Sequence, residues 1–277
     1  MKDVSHTSQW TAAARAVETE REDSLFKDTL ARGLAGSKGF ELLARYGGGG
    51  LKEFVAIRTR YLDDVINATV MKGTIRQVVL IAAGMDARAF RLEWPQEATV
   101  FEVDHTELHQ EKQVLLDSLS ATATVVRRVV EVDLTSDWLP ALFRAGFDSK
   151  KPTLWVAEAL LFFLTDGQTR SLLDRLAAIS AKDSVLTADV LSAALLRHIG
   201  TQPFLQALRN DGIPWLFGTD KPEEYFQRSG WQITELKEPG QEGAGLGRWP
   251  YRLYSRGVAN VPRNWLLQAK IMEGPRG

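Results

Sequence analysis

Four acids recur where apolar runs end. "RQVVLIA" (76–82) leads into Ala82-Ala83-Gly84 and then Asp86, and "ATVFEVD" (98–104) ends at Asp104. "TVVRRVVEVD" (124–133) ends at Asp133, and "TLWVAE" (153–158) ends at Glu158. Asp104 stands twenty positions beyond Gly84. An acid at that spacing from a glycine turn is placed to accept both ribose hydroxyl hydrogens of an adenosine. Asp133, at the next strand end, can accept from an exocyclic amine such as adenine N6. A lone acid at a strand end more often caps the following helix; four in succession favour a site.

The glycines narrow the choice of nucleotide. Dinucleotide enzymes need G-x-G-x-x-G so that backbone and helix dipole approach a pyrophosphate. Here Ala82, Gly84 and Ala87 occupy those positions. A cofactor without phosphates tolerates the loss. S-adenosylmethionine has none, and its amino-acid tail asks for a cation at the carboxylate and acceptors at the ammonium. Arg58, Arg60 and Arg88 are candidates for the first, Glu158 and the Gly84 carbonyl for the second. These residues favour methyl transfer and leave hydride transfer open.

Other chemistries find little support. His105 and His109 are four apart, but H-T-E-L-H lacks the metalloprotease order H-E-x-x-H, so they read as surface helix histidines and no metal is assigned. No G-x-S-x-G elbow or phosphate loop occurs; "GLAGSKG" (33–39) has glycine and lysine in the wrong order. The absence of cysteine excludes disulfides, thiolate metal sites and cysteine nucleophiles.

The elements that must carry these residues alternate. Helical patterns at 106–119, 136–146 and 166–180 separate the strands already quoted, and "SVLTADVL" (184–191) adds a fifth. Apolar strands alternating with helices predict a parallel, doubly wound sheet. Such sheets bind ligands beyond the strand carboxyl ends, where strand order reverses. A helix near 221–230 and two late strands, "WQITELK" (231–237) and "NWLLQAKI" (264–271), follow. Residues 1–72 read as helices only. Thr7 or Ser8 is placed to cap the first, and a helix from about Leu51 to Lys72 puts Phe54, Ile57, Tyr61, Leu62, Val65 and Ile66 on one stripe. The expected division is an N-terminal helical cap (1–72) and an α/β core (73–277), with a lid or substrate segment at about 190–250. In that segment Trp249 and Tyr251 beside Arg248 and Arg252 are the better candidates for a pocket lining, because an apolar acid needs both surfaces and a cation.

The bulk properties are ordinary. The 277 residues carry 34 basic and 35 acidic side chains, so no electrostatic footprint for duplex nucleic acid exists. No apolar run approaches the ~20 residues of a membrane helix, and the N-terminal stretch has no signal-like apolar core. A soluble, cytoplasmic protein is expected.

"FVAIRTRYLDD" (54–64), "RQVVLIAAGMDARAFRLEWP" (76–95), "VFEVDH" (100–105), "EVDLTSDW" (131–138) and "RAGFDSKKPTLWVAEALLFFLT" (144–165) resemble the leucine carboxyl methyltransferase family. The nearer likeness is to its bacterial branch that O-methylates small carboxylic acids such as polyketides, and it extends to residues 11–31 and 247–271. The resemblance implies a class I methyltransferase (Rossmann-like) fold with a seven-stranded, mostly parallel sheet, its last strand antiparallel, and helices on both faces. It implies S-adenosyl-L-methionine as cofactor, with S-adenosyl-L-homocysteine as product. Arg58 would bind the methionine carboxylate, with Arg15 as a second basic residue. Gly84 would lie against the amino-acid portion, Asp104 would hold the ribose, Asp133 and Leu134 would bracket the adenine and Glu158 would lie near the amino group, with Ala82 and His105 also against the cofactor. The implied acceptor is a small-molecule carboxylic acid, leaving as its methyl ester, with Phe163, Arg248, Tyr251 and Arg252 toward it. A protein C-terminal carboxylate, a phenol or other hydroxyl, and non-catalytic adenosine binding are the alternatives. Two residues depart from the family's pattern: Ala82 replaces the first glycine of Leu-Gly-Ala-Gly, and Phe163 stands where a tyrosine is frequent.

Overall fold

The computed structural model describes residues 5–71, 73–245 and 247–272. Three helices open the chain: α1 (Ser5–Thr19), α2 (Ala31–Tyr46) and α3 (Leu51–Met71). Strands and helices then alternate through β1 (Gln77–Ile81), α4 (Arg88–Arg91), β2 (Thr99–Asp104), α5 (Thr106–Ser118), β3 (Val126–Glu131), α6 (Leu139–Arg144), β4 (Thr153–Ala157), α7 (Asp166–Ala178) and β5 (Val185–Leu191). After α8 (Ala193–Arg197), α9 (Gln202–Asn210) and α10 (Pro222–Gln227), the strands β6 (Trp231–Lys237) and β7 (Asn264–Ile271) complete the sheet. Its order is β3-β2-β1-β4-β5-β7-β6. The first five strands pair in parallel, and β7 runs antiparallel to both β5 and β6.

The alternation of side chains along each strand sorts the core into two layers. Val79 and Ile81 of β1 join Trp155, Ala188 and the α6–α7–α10 side chains on one face. Val78 and Leu80 join Val156, Ile66, Val70 and Ala89, so α3 and α4 cover the other face. Because β1, β4 and β5 are buried throughout, they read as continuous apolar runs. β3 is an edge strand with most side chains exposed.

All six residues of the predicted α3 stripe are buried. The helix is not part of a detachable cap, however. Phe54, Ile57, Tyr61 and Leu62 share a cluster with Leu266 of β7, and α1 and α2 share another with Leu108 and Leu116 of α5 and Leu208 of α9. The division expected at residue 72 is therefore not a division of the core. Nor is 190–250 a single lid, since β6 is built into the sheet. Thr7 and Ser8 lie inside α1 rather than at its cap. Among the described residues, no helix is long and apolar enough to cross a membrane.

Candidate functional site

Strand order reverses between β1 and β4, and beyond the carboxyl ends of these strands lies a cavity of about 310 Å³. Its floor is the turn after β1. Ala82 there adopts φ +55 and Gly84 φ +49, both in the left-handed region. Gly84 has a second reason to be glycine: a Cβ on it would stand 2.7 Å from the Ser8 Cβ of α1. Ala82 has no such freedom and carries its methyl through a turn that disfavours L side chains.

Asp104 closes the end of β2 against this turn. Its Oδ2 accepts from the Gly84 backbone N–H at 2.7 Å and its Oδ1 from the His105 N–H at 2.8 Å. The side chain is buried and still lines the cavity. A carboxylate has about four lone-pair sites, so both oxygens retain acceptor capacity for vicinal hydroxyls.

Glu158, just past β4, sits between two arginines. Its Oε1 accepts from Arg58 Nε at 2.9 Å and its Oε2 from Arg88 Nη1 at 2.6 Å. Burial pushes this carboxyl up, but the charges of Arg88 and Arg58 outweigh it and hold Glu158 well below the usual carboxylate range. Arg58 also donates Nη1 to Asp189 of β5 at 3.0 Å. Asp189 in turn accepts at 2.7 Å from the N–H of Ala159, another left-handed residue at φ +53. Burial raises the Asp189 pKa, with Arg58 opposing.

The ion pairs continue toward the N-terminal helices. Arg88 contacts Asp86 and donates Nε to Asp63 of α3 at 2.7 Å; Arg91 Nη1 meets the same Asp63 at 2.7 Å. Arg91 Nε lies 3.7 Å from Asp28, which Arg15 Nε meets at 2.9 Å. Arg15 Nη2 ends the chain on the Met85 carbonyl at 2.6 Å. Arg58, Arg88, Arg91 and Arg15 face Asp189, Glu158, Asp86, Asp63 and Asp28, so the acids exceed the cations by one.

The structure brings most of the predicted site residues to this cavity. Arg15, Arg58, Ala82 and Gly84 line it, as do Asp104, His105, Leu134, Glu158 and Phe163. The Phe163 ring packs on Phe162 at 4.8 Å. Asp133 does not line it. β3 stops two residues short of Asp133, whose exposed carboxylate accepts from the Thr135 N–H at 2.8 Å and the Thr135 hydroxyl at 2.7 Å. Those hydrogen bonds lower its pKa and give it the turn-forming role, while Leu134 and Thr135 face the cavity.

Three of the four residues expected toward the acceptor also lie elsewhere, Phe163 being the exception. Arg248 is bonded to Glu18 and Asp23, tying the 239–250 loop to the end of α1. Tyr251 is half exposed with its ring against Trp249 at 5.2 Å, and Arg252 is exposed over the Tyr254 ring. The loop bearing them packs on α3 through Ala244 and Trp249. Arg60, the remaining cation considered for the carboxylate, is exposed and paired with Asp64. His109 is buried rather than on the surface, its ring nitrogens without hydrogen-bond partners, and burial lowers its pKa. Asp189 is the residue missed from the sequence. Its signal was one acid inside the otherwise apolar run "SVLTADVL".

The sheet order, the antiparallel seventh strand and the cavity at the reversal define a class I methyltransferase fold. Solved structures of that form superpose on it. A DUF574 family protein from Streptomyces avermitilis matches with TM-score 0.62 at 14% identity, over 94% of this chain and 96% of its own. Magnesium protoporphyrin IX methyltransferase from Synechocystis, solved with bound S-adenosylhomocysteine, matches with TM-score 0.51 at 14% identity over 88% and 98%. The model of the leucine carboxyl methyltransferase family matches residues 8–177. A Frankia alni protein that carries the name of an S-adenosyl-L-methionine-dependent methyltransferase is 35% identical, over 87% of this chain and 91% of its own. A Mycolicibacterium smegmatis relative of like name is 35% identical over 83% and 84%. The chain belongs to the leucine carboxyl methyltransferase family.

Proposed function

We propose that this S-adenosyl-L-methionine-dependent methyltransferase forms a methyl ester on the carboxylate of a small, polyketide-like acid. The observation that carries the reading is the junction of Asp104 with Gly84, a buried carboxylate with acceptor capacity left over beside a left-handed turn, in the cavity where strand order reverses. The residues fit the cofactor. Asp104 would hold the ribose, Leu134 and Thr135 the adenine, and Glu158 the ammonium. Arg15 and Arg58 would face the amino-acid carboxylate; Arg58 has given two of its five N–H groups to Glu158 and Asp189. When bound, the cofactor supplies a sulfonium methyl open to displacement.

The chain's own part is to orient and to exclude water. A carboxylic acid with pKa near 4 is already ionised at neutral pH, so no general base is required. This agrees with phenylalanine at position 163, which cannot move a proton. α1 lies across the glycine turn, with Ser8 against Gly84, and supplies one wall of the cavity. Alignment and desolvation of the attacking oxygen are then the main sources of rate.

The test is transfer of labelled methyl from S-adenosyl-L-methionine to a panel of carboxylic acids and phenols, with the product site located by mass spectrometry. Base-labile esters are expected. Products that survive base, with none that hydrolyse, would overturn the ester assignment.

A further inference from the structure

Asp189 lies inside β5 and does not itself line the cavity. Strand alternation puts Ala188 and Val190 in the layer under α6 and α7 and turns Asp189, with Val185, toward α3. Burying a carboxylate is costly, and a well-packed apolar residue is often as stable as a buried ion pair. Nor does the charge of Arg58 demand a second acid, because Glu158 already meets that guanidinium at 2.9 Å. What Asp189 adds is geometry.

Its Oδ2 accepts from Arg58 Nη1 at 3.0 Å, while Arg58 Nε donates to Glu158 and the guanidinium stands over the Phe54 ring at 5.4 Å. Two bonds on different nitrogens and one ring face fix the guanidinium plane. Neither bond uses Nη2, and Arg58 lines the cavity. With the Nε bond alone, the group is free to swing about that contact. The other oxygen of Asp189 accepts from the Ala159 N–H at 2.7 Å, and the left-handed backbone of Ala159 turns the chain directly after Glu158. One buried carboxylate thus sets both the cation and the turn that bears the acid. Binding groups keep a productive geometry, to about 0.5 Å, only when packing and further hydrogen bonds lock them. We propose that Asp189 is a positioning residue for a zwitterionic amino-acid group: through Arg58 and the Glu158–Ala159 turn it holds the cation and the acid that meet the carboxylate and ammonium of the cofactor's tail. The proposal rests on the methyl-transfer reading above.

Calorimetric titration of the full chain with S-adenosyl-L-homocysteine and with 5'-methylthioadenosine tests this. The second ligand keeps the nucleoside and the sulfur but lacks the amino acid. Asp189→Asn should weaken S-adenosyl-L-homocysteine binding about tenfold or more, the effect of one hydrogen bond to a charged group, and leave 5'-methylthioadenosine binding unchanged. A purely structural role would weaken both together. Asp189→Glu keeps the buried charge but lengthens the side chain, and should show the same selective loss even if the asparagine variant does not fold. Arg58→Lys should also weaken S-adenosyl-L-homocysteine, and adding Asp189→Asn to it should cost less than Asp189→Asn alone, because the two act through one group. Equal weakening of both ligands, no weakening of either, or additive losses in the double variant would overturn the assignment. Wild-type chain that binds neither ligand counts against the methyl-transfer reading and removes this proposal with it, a result seen before any variant is made.

Discussion

Replacing Ala82 by glycine removes one methyl from a turn held at φ +55. The left-handed conformation costs an L-residue roughly 1–2 kcal/mol. Glycine avoids that cost but loses about 0.4–1 kcal/mol through the greater freedom of its unfolded chain. The difference leaves about 0.5–1 kcal/mol in favour of glycine, and a large domain gains about 2–4 °C in Tm per kcal/mol. Ala82→Gly should therefore raise Tm by about 1–4 °C in a calorimetric or circular-dichroism melt. Because the methyl stands in the cavity wall, affinity for S-adenosyl-L-methionine should rise or hold, read by titration. Ala159→Gly, at φ +53, should shift Tm in the same direction. Ala13→Gly is the opposing control: Ala13 is fully buried within α1, and glycine in a helix costs roughly 1 kcal/mol before the lost methyl is counted. A fall in Tm for Ala82→Gly comparable to that for Ala13→Gly would refute the strain argument.

Asp104→Asn keeps one acceptor toward Gly84 and removes the charge; cofactor affinity measured by calorimetry should drop about tenfold or more, since hydrogen bonds to charged groups are worth about 1.5–3 kcal/mol. Glu158 has its carboxyl held below the unfolded value, so its stabilisation is complete above the ordinary carboxylate pKa and is lost as pH falls. Melts should accordingly be insensitive to Glu158 between about pH 6 and 8 and lose stability below about pH 4.5. Glu158→Gln should destabilise at neutral pH by about 3–5 kcal/mol, because Arg58 and Arg88 are left short of a partner, and should flatten the acid limb. Arg248→Ala should lower Tm by untying the 239–250 loop from α1 while leaving the affinity for S-adenosyl-L-methionine as it was, a split that would reverse if Arg248 served the site.

Where burial dictated residue type, the sequence was readable. The buried parallel strands show as unbroken apolar runs, the α3 stripe follows helical period, and the site acids stand where those runs stop. Legibility failed where placement depends on tertiary contact. Asp133 follows an apolar run like the other acids, but the exposed edge strand ends early and a local turn with Thr135 takes the carboxylate. Arg248, Tyr251 and Arg252 combine suitable chemistry, yet nothing local says that their loop packs on α3. His109 looks like a helix-surface residue until α5 is seen to bury it near Glu102 and Lys112. Asp189 lies inside a strand buried along its whole length, where a single acid within an apolar run carries no positional signal of a site.

Residue 72 offers a final lesson for anyone recombining this enzyme with its relatives. A helical segment before it and an alternating core after it make it look like a natural splice point. Yet Arg58 to Glu158 and Asp189, Arg88 and Arg91 to Asp63, Arg91 to Asp28, and Arg15 to the Met85 carbonyl all cross it. A chimera joined there from parents with different charge placement would trap an unmatched ion beneath the cofactor. Productive crossovers must keep these alternating charges together as one inherited block, and drift within the block must proceed in compensating pairs.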